Sequence, residues 1–328
     1  MTENAKLIRS LSDGLADAVE KGQSYTVLVD GRPGYPASGT YYSQKHVVAS
    51  NQSVHISDGI RIETPDGEKV DAQVVGRDPV HDIVLLELEA EVGMRPPVVG
   101  RTPRVGELAL ALARPSEDGI QSSLGVIGVA GGSYIGGHGP AMKDMIRSDA
   151  AQFPGFAGGP LIDVEGNLIG VNIMGHRHGS FLTIPAEKAF AAAERITQHG
   201  DIKQAYLGIR SQPAEIPGTV EMGREQVHGL LIVGVEEASP AMTAGMITGD
   251  MVVAVDGVPT SSPGQLLDFL AEQSEGEAVE LELIRGGVLL TQQMHLGGKE
   301  YEQHRGHRHH HGKRGRRRGQ SGPHGDNR

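Results

Sequence analysis

The chain has 328 residues, of which 38% are hydrophobic, with 47 glycines, 18 prolines and no cysteine. This length suits two or three domains, and the composition favours short strands and turns over long helices. The lack of cysteine excludes disulfides and thiolate metal sites, and no apolar run is long enough to span a membrane.

The net charge of −11 combines two regions of opposite sign. Residues 304–328 hold eight Lys or Arg side chains and one Asp, which gives +7. The other residues hold 22 basic and 40 acidic side chains, which gives −18. The sequence therefore predicts an acidic folded body that carries a basic tail.

Residues 1–21 predict an amphipathic helix, because Leu7, Leu11 and Leu15 recur at helical spacing. The segment lacks the apolar core that a secretion signal needs. We therefore expect a cytoplasmic protein, with removal of a signal from a longer precursor as the alternative.

Between residues 22 and 186, short apolar runs alternate with Gly, Pro, Asp and Asn turns, which is typical of the strands of a sandwich or barrel. Strands are predicted at 25–31, 69–78, 82–89, 107–113, 161–175 and 180–186, with a hairpin turn at 164–167. The stretch is long for one barrel. Two are therefore predicted, at about 22–100 and about 101–186, followed by a closing helix at 187–199.

A separate αβ unit is predicted at 203–297. Its strands are expected at 230–236, 250–257, 278–285 and 288–296, and its helix at 263–273. Residues 298–328 have no apolar periodicity and are rich in His, Arg and Gly, so they predict a disordered tail.

Residues 148–161 read SDAAQFPGFAGGPL and resemble the Asp-Ala-Ala and Pro-Gly-x-Ser-Gly-Gly-Pro-Leu segment of HtrA-type serine proteases. In such proteases the glycines let backbone N–H groups converge on an oxyanion. The resemblance implies a mainly β fold, a chymotrypsin/trypsin-like double β-barrel followed by an αβ PDZ domain. It fails at Ala157, which stands at the serine position between the oxyanion-turn residues Gly155 and Gly158. The amides of this turn can also serve as a binding nest for a carbonyl or carboxylate.

The other two triad positions follow from the same resemblance. GRDPVHDIVLLEL at 76–88 matches the family segment that carries the aspartate and assigns that role to Asp82. VVASNQSV at 47–54 matches Val-Thr-Asn-x-His-Val, so Ser53 occupies the histidine position. Asp82 is then expected to bond backbone N–H groups of the turn around Ser53.

His46 is the rival for the histidine role, but it leaves only seven residues after Gly39 for a hairpin whose strands need about five each. His55 and His81 also lack the family spacing. Without a nucleophile and a base no acyl-enzyme forms, so the sequence predicts a catalytically inactive pseudoprotease. The alternative is an active serine endopeptidase in which Ala157 was introduced and His46 or His55 is the base.

Residues 203–296, and in particular the segment 229–262, resemble the PDZ domains of HtrA proteins, which capture C-terminal peptides by strand addition. The resemblance implies a carboxylate-binding loop and first groove strand at Tyr206, Leu207, Gly208 and Ile209, and a second groove wall at Leu266, Leu267 and Leu270. The expected partners are polypeptide C-termini or unfolded proteins, which suits an adaptor, chaperone-like or regulatory factor. HtrA proteins commonly form homo-oligomers, but their trimer-forming N-terminal residues are not clearly matched here, so the oligomeric state is left open.

The tail segment HRGHRHHHGKRGRRRG at 304–319 favours two binding chemistries. Its arginines can contact RNA or another polyanion. Its imidazoles can chelate Zn, Ni or Cu, through His304, His307, His309, His310 and His311. A solvated tail without a ligand is the third interpretation, and no other cofactor is expected.

Overall fold

The computed structural model describes residues 2–32, 34–35, 37–116, 118–135, 141–151, 153–173, 180–218, 223 and 225–299. Its strands form two closed six-stranded barrels, followed in the chain by a six-stranded sheet and a small two-stranded sheet. The predicted mainly β fold, a trypsin-like double barrel followed by a PDZ domain, is confirmed.

Helix α1 (Glu3–Gln23) precedes the first barrel and begins at Thr2, whose hydroxyl accepts a hydrogen bond from the Ala5 N–H over 3.4 Å. Its C-terminal half packs on the barrels, where Ala18 is buried. Its N-terminal half projects into solvent with exposed apolar side chains, namely Leu7, Ile8 and Leu11.

The first barrel closes in the order β1-β2-β3-β6-β5-β4. Its strands are β1 (Thr26–Asp30), β2 (Ala37–Ser43), β3 (His46–Ser50), β4 (Ile60–Glu63), β5 (Lys69–Asp78) and β6 (Ile83–Leu88). Valine, isoleucine and leucine side chains from alternate strand positions fill its interior, as period-two burial requires. Strand β3 ends directly at the turn that contains Ser53, so the barrel fixes where that turn begins.

The second barrel closes in the order β10-β11-β12-β9-β8-β7. Its strands are β7 (Leu108–Ala113), β8 (Gln121–Ile135), β9 (Ala141–Ala151), β10 (Pro160–Ile162), β11 (Leu168–Ile173) and β12 (Ser180–Pro185). The turn between β10 and β11 is the hairpin predicted at 164–167. Gly166 there has φ +74°, and Asp163 Oδ1 accepts the N–H groups of Glu165 and Asn167.

Helix α2 (Ala186–His199) joins the two barrels. Its small buried side chains, among them Ala189 and Ala193, let the helix approach closely. The cluster around them includes Leu85 from the first barrel and Val171 from the second. The closing helix predicted at 187–199 therefore rests on both barrels.

The C-terminal region contains short elements around one hydrophobic core. They are β13 (Gln204–Tyr206), β14 (Ile209–Glu215), β15 (His228–Val235), α3 (Pro240–Thr243), β16 (Met251–Val255), β17 (Val258–Pro259), α4 (Pro263–Leu270), β18 (Ala278–Arg285), β19 (Val288–His295) and β20 (Gly297–Lys299). The larger sheet runs β14-β15-β16-β18-β19, with β17 paired to β16, and β13 pairs with β20.

Two sequence-based boundaries differ from the structure. Helix α4 ends at Leu270 and not at residue 273, because i→i+3 bonds such as Glu272 N–H to Phe269 O tighten its last turn. Gly298 and Lys299, expected in the tail, belong to β20, where Gly298 lies opposite Ala205. Glycine has little intrinsic strand preference, so only the tertiary pairing reveals this strand.

Candidate protease-type site and peptide groove

The turn that carries Ala157 depends on glycine. Gly155 has φ +87° and Gly158 has φ +86°, a left-handed region that residues with a Cβ rarely adopt. Phe156 is fully buried between them and anchors the turn in the core of the second barrel. Ala157 itself is 6% exposed. Within the described part of the chain, the N–H groups of Gly155 and Ala157 donate to no acceptor, so both are available to a ligand.

The first barrel clamps this turn through hydrogen bonds from strand β2. The Ser38 hydroxyl donates to the Gly155 carbonyl over 2.7 Å, and the Ser38 N–H donates to the Ala157 carbonyl over 3.3 Å. The Thr40 hydroxyl donates to the Gly158 carbonyl over 3.0 Å. A Cβ on Gly158 would lie 2.1 Å from the backbone carbonyl oxygen of Ser38. These contacts bring the turn against the strands that lead to the Ser53 turn.

Neither Ser38 nor Thr40 was expected at the site. Both flank Gly39, from which the spacing to His46 was counted. Hydroxyl residues in a strand that is otherwise buried were the available signal, because a buried hydroxyl needs a hydrogen-bond partner.

Asp82 directly precedes strand β6 of the first barrel; it is 5% exposed and has φ +54°. Its Oδ1 accepts the Gln52 N–H over 2.9 Å, and its Oδ2 accepts the Ser50 hydroxyl over 2.7 Å. Burial raises the pKa of Asp82 to about 7, the hydrogen bonds from Ser50 and Gln52 oppose that rise, and the charge of Asp78 adds to it. The carboxyl is therefore held by the turn, and no cationic side chain among the described residues bonds to it.

Ser53 lies in the same turn as Ser50 and Gln52, which bond to Asp82. The Ser53 N–H donates to the Ser50 carbonyl over 3.0 Å. The side chain is almost buried, at 8% exposure. A serine hydroxyl has no proton affinity near neutral pH, so it cannot act as a general base.

The described histidines are held elsewhere. His46 Nδ1 lies 2.8 Å from the Ser43 hydroxyl, at the far end of β3, roughly 13 Å of strand from Ser50. His55 Nε2 lies 2.7 Å from the Gln52 carbonyl, and His81 Nδ1 lies 2.8 Å from Asp78 Oδ2. Among the residues that the structure describes, no imidazole bonds to Asp82; His176 and His178 lie outside them.

Tyr206 ends β13 and Ile209 begins β14, so Leu207 and Gly208 form the short loop between the two strands. Gly208 has φ +81°, and a Cβ on it would lie 2.2 Å from the Ser239 side chain, so the tight turn requires glycine. Leu207 is buried in the core and its carbonyl accepts the Ala241 N–H over 2.9 Å. Ile209 is half-buried at the start of β14.

The three leucines expected on the second groove wall do not share one environment. Leu266 and Leu270 are only 6% and 4% exposed and belong to the PDZ core. Leu267 is half-buried. Leu266 and Leu270 thus contribute to the core, as the apolar face of a short helix must, and the place of the three leucines on a groove wall stays a prediction.

Metal and membrane chemistry can be assessed only in the described ranges. There, no three His, Asp or Glu residues cluster as a metal site would need. No helix in the same ranges is long and apolar enough to cross a membrane. The histidines proposed as tail ligands, His304, His307, His309, His310 and His311, lie outside those ranges, as does the basic segment around them.

Family comparisons agree with the two-part architecture. Residues 37–171 match the trypsin-like peptidase domain family, and residues 231–285 match the PDZ domain family. The chain is similar to a solved structure described as "HtrA-type protease AlgW with decapeptide", with 22% identity and a TM-score of 0.72, over 87% of this chain and 99% of that one. A second AlgW structure, with a tripeptide, gives 25% identity and a TM-score of 0.69 over 87% and 97%.

Curated relatives point the same way. A "Probable periplasmic serine endoprotease DegP-like" of Chlamydia trachomatis is 30% identical over 253 residues, which are 74% of this chain and 50% of the relative. The "Putative serine protease HhoA" of Synechocystis is 28% identical over 266 residues, 76% of this chain and 67% of the relative. The chain thus spans about half the length of the first of these relatives.

The expectation of a cytoplasmic location is wrong by this comparison. The DegP-like relatives from Chlamydia trachomatis and from Brucella suis are both named periplasmic. The reason for the error is that an N-terminal segment without an apolar core says little about the compartment.

The matches and the geometry of the barrels together show a trypsin-like peptidase domain followed by a C-terminal PDZ domain, the arrangement of the HtrA/DegP-type serine proteases to which the chain is similar.

Proposed function

We propose that this protein binds polypeptides through its PDZ domain and does not hydrolyse them by the serine-protease mechanism. The observation that carries the proposal is the state of Asp82. Its two carboxyl oxygens accept from the Ser50 hydroxyl and the Gln52 N–H, and no described imidazole shares them.

The chemistry of acyl transfer explains why this matters. A serine oxygen must attack the carbonyl, and an imidazole oriented by the carboxylate must take the serine proton. The methyl group of Ala157 cannot attack, and Ser53 cannot accept the proton. The remaining N–H donors at Gly155 and Ala157 can hold a carbonyl oxygen, which supports binding without cleavage.

Peptide binding is supported by the architecture of the second domain. Strand β14 lies at one end of the sheet and follows directly on the glycine-containing loop at Gly208. Such an edge beside such a loop can accept a C-terminal strand and its carboxylate. The AlgW structures contain a decapeptide and a tripeptide according to their descriptions, and we extend that capacity to this chain.

The proposal is tested by parallel measurements on the full chain. Casein hydrolysis and labelling with a fluorophosphonate probe should both stay at the level of a protein-free control. Peptides with a free C-terminus should bind, whereas the same peptides with an amidated C-terminus should bind much more weakly. Hydrolysis or covalent labelling of the unmodified chain would contradict the proposal.

A second candidate function is serine endopeptidase activity of a form that has serine in place of Ala157. The names of the curated relatives favour it, since they are described as serine endoproteases or a serine protease. This candidate requires His46 or His55 to act as the base. It predicts that Ala157→Ser alone gives casein hydrolysis, and that His46→Ala or His55→Ala then removes it. The primary proposal predicts no hydrolysis by Ala157→Ser.

We also propose a periplasmic location for the protein. The names of the DegP-like relatives support it. Osmotic-shock fractionation of the source cells, with cytoplasmic and periplasmic marker proteins, should recover the protein with the periplasmic marker.

A further inference from the structure

Strand β14 offers its outer edge to a ligand. In the described part of the chain β15 is its only strand partner, with Ile209 opposite Val235 at one end and Glu215 opposite His228 at the other. The outer edge is where a peptide strand would be added, so its backbone donors and acceptors determine how far that peptide can pair.

Two backbone hydrogen bonds establish which residues face this edge. The Gly208 carbonyl accepts the Glu236 N–H over 2.8 Å, and the Ile216 N–H donates to the Val227 carbonyl over 2.8 Å. Positions 208 and 216 therefore point towards β15. Since N–H and C=O groups alternate in direction along an antiparallel strand, the even-numbered residues between them point the same way.

The odd-numbered residues of β14 therefore direct their backbone groups to the outer edge: Ile209, Ser211, Pro213 and Glu215. The register shift between Arg210 and Ser211 does not alter this alternation. It leaves Val233 as an extra residue on β15, because Arg210 pairs with Gly234 and Ser211 with Ile232. The hydrogen bonds of Gly208 and Ile216, at the two ends of β14, give the same direction for the even-numbered residues.

Pro213 interrupts the row of donors. Proline has no N–H, and in sheets it is placed where that N–H would face away from the neighbouring strand. Here the missing donor falls on the edge that a ligand would use. Pro213 is exposed, so no described side chain covers the gap.

A C-terminal peptide added to β14 runs antiparallel to it, with its carboxylate at the loop that contains Gly208. Its last residue then pairs with Ile209 and the third from the end pairs with Ser211. The fifth from the end reaches Pro213, where its N–H can still donate to the Pro213 carbonyl but its own carbonyl finds no donor.

We infer that Pro213 weakens the pairing edge at the fifth residue from the end, so that the PDZ domain recognises mainly about the last four residues of a polypeptide through its backbone. This inference rests on the proposed peptide binding and specifies its ligand as a short, free C-terminal segment. Residues upstream of the fourth add little affinity.

Fluorescence anisotropy with the full chain tests the inference. The probes are labelled peptides of three, four, six and eight residues that share an Ala-Val-Leu end with a free carboxylate and are lengthened with alanine and serine. The affinity should rise from three to four residues and then stay within about twofold. In Pro213→Ala the six- and eight-residue peptides should bind about three- to tenfold more tightly, the effect of one restored hydrogen bond, while the four-residue peptide is unchanged.

Pro217→Ala is the matched control, because Pro217 is exposed and lies two residues beyond the end of β14. It should bind like the unmodified chain. Ser211→Pro removes a second donor, the one opposite the third residue from the end, and should weaken the binding of every peptide at least fivefold.

The outcomes separate the two proposals. Absence of binding by every peptide would overturn the proposed function and this inference with it. Affinity that keeps rising beyond four residues in the unmodified chain, or an unchanged eight-residue affinity in Pro213→Ala, would overturn the inference alone.

Discussion

The Ser50 hydroxyl donates to Oδ2 of Asp82 over 2.7 Å, in a site where both residues are buried. In an active protease of this fold, the equivalent carboxylate orients an imidazole and stabilises its charged form. Here a neutral hydroxyl donates a hydrogen bond to one oxygen of the carboxyl group. Asp82 is therefore a buried acid to which no cation of the described ranges bonds, and its burial has a measurable effect on stability.

The stability of the protein should fall between about pH 4 and pH 7 because of Asp82. Burial raises the pKa of Asp82 to about 7, above the ordinary value of about 3.9, so the folded state binds the proton more tightly than the unfolded state. The contribution is fully present below the unfolded pKa and is lost as the pH rises through the folded pKa. The slope reaches about 1.4 kcal/mol per pH unit.

Asp82→Asn isolates this effect from other titrating groups. The side-chain oxygen of asparagine can still accept the Gln52 N–H, its amide can donate to Ser50, and asparagine tolerates the positive φ at this position. Urea unfolding of both proteins from pH 4 to pH 8 should show Asn gaining on Asp by about 1–3 kcal/mol as the pH rises. Parallel curves would show that Asp82 has an ordinary pKa.

Replacing Gly158 by alanine should cost more than about 3 kcal/mol of unfolding free energy. The position combines φ +86° with a Cβ that would lie 2.1 Å from the Ser38 carbonyl oxygen, and a backbone atom cannot easily move. Gly67 is the matched control, with the same φ of +86° and open space around its Cβ, so Gly67→Ala should cost about 1–2 kcal/mol. Equal losses in thermal or urea unfolding would mean that the Ser38 contact is unimportant.

Two buried hydroxyls of the second barrel should respond in opposite ways. The Ser148 hydroxyl has no partner among the described residues, so Ser148→Ala should be neutral or stabilising by up to about 1 kcal/mol. The Thr183 hydroxyl donates to the buried Asn172 side chain over 2.8 Å, so Thr183→Val should cost about 1–3 kcal/mol. Denaturant midpoints measure both, and a destabilised Ser148→Ala would indicate a missed partner.

An ion pair between the buried Asp250 and the partly exposed Arg285 stabilises the PDZ domain. Asp250 is fully buried and accepts two hydrogen bonds from the Arg285 guanidinium, each 2.7 Å long, and a third from the Ile247 N–H. Arg285→Ala leaves that carboxylate without its cation and should destabilise the domain, which a lower denaturant midpoint would show. Limited proteolysis should then cleave the PDZ region first. The exposed pair Arg61–Asp71 is the control, and Arg61→Ala should change stability by less than about 1 kcal/mol.

The sequence allowed the barrels, the PDZ domain and the turn at Gly155 to Gly158 to be located, because glycine positions and period-two patterns are local signals. It did not reveal the clamp from Ser38, since the partner carbonyls lie 117 and 119 residues away in the chain. The sequence also left open which of the leucines of α4 face the core. A short helix contacts both a core and a groove, and spacing alone does not distinguish the two faces.

The pairing of β20 with β13 has a consequence for whatever follows Lys299. Lys299 lies opposite Gln204, only three residues before Leu207 and the loop that would receive a peptide carboxylate. Any segment attached there is tethered near the mouth of the groove, at an effective concentration in the millimolar range for a short flexible connection. A weak intrinsic affinity between such a segment and the groove would therefore be enough to compete with ligands from outside.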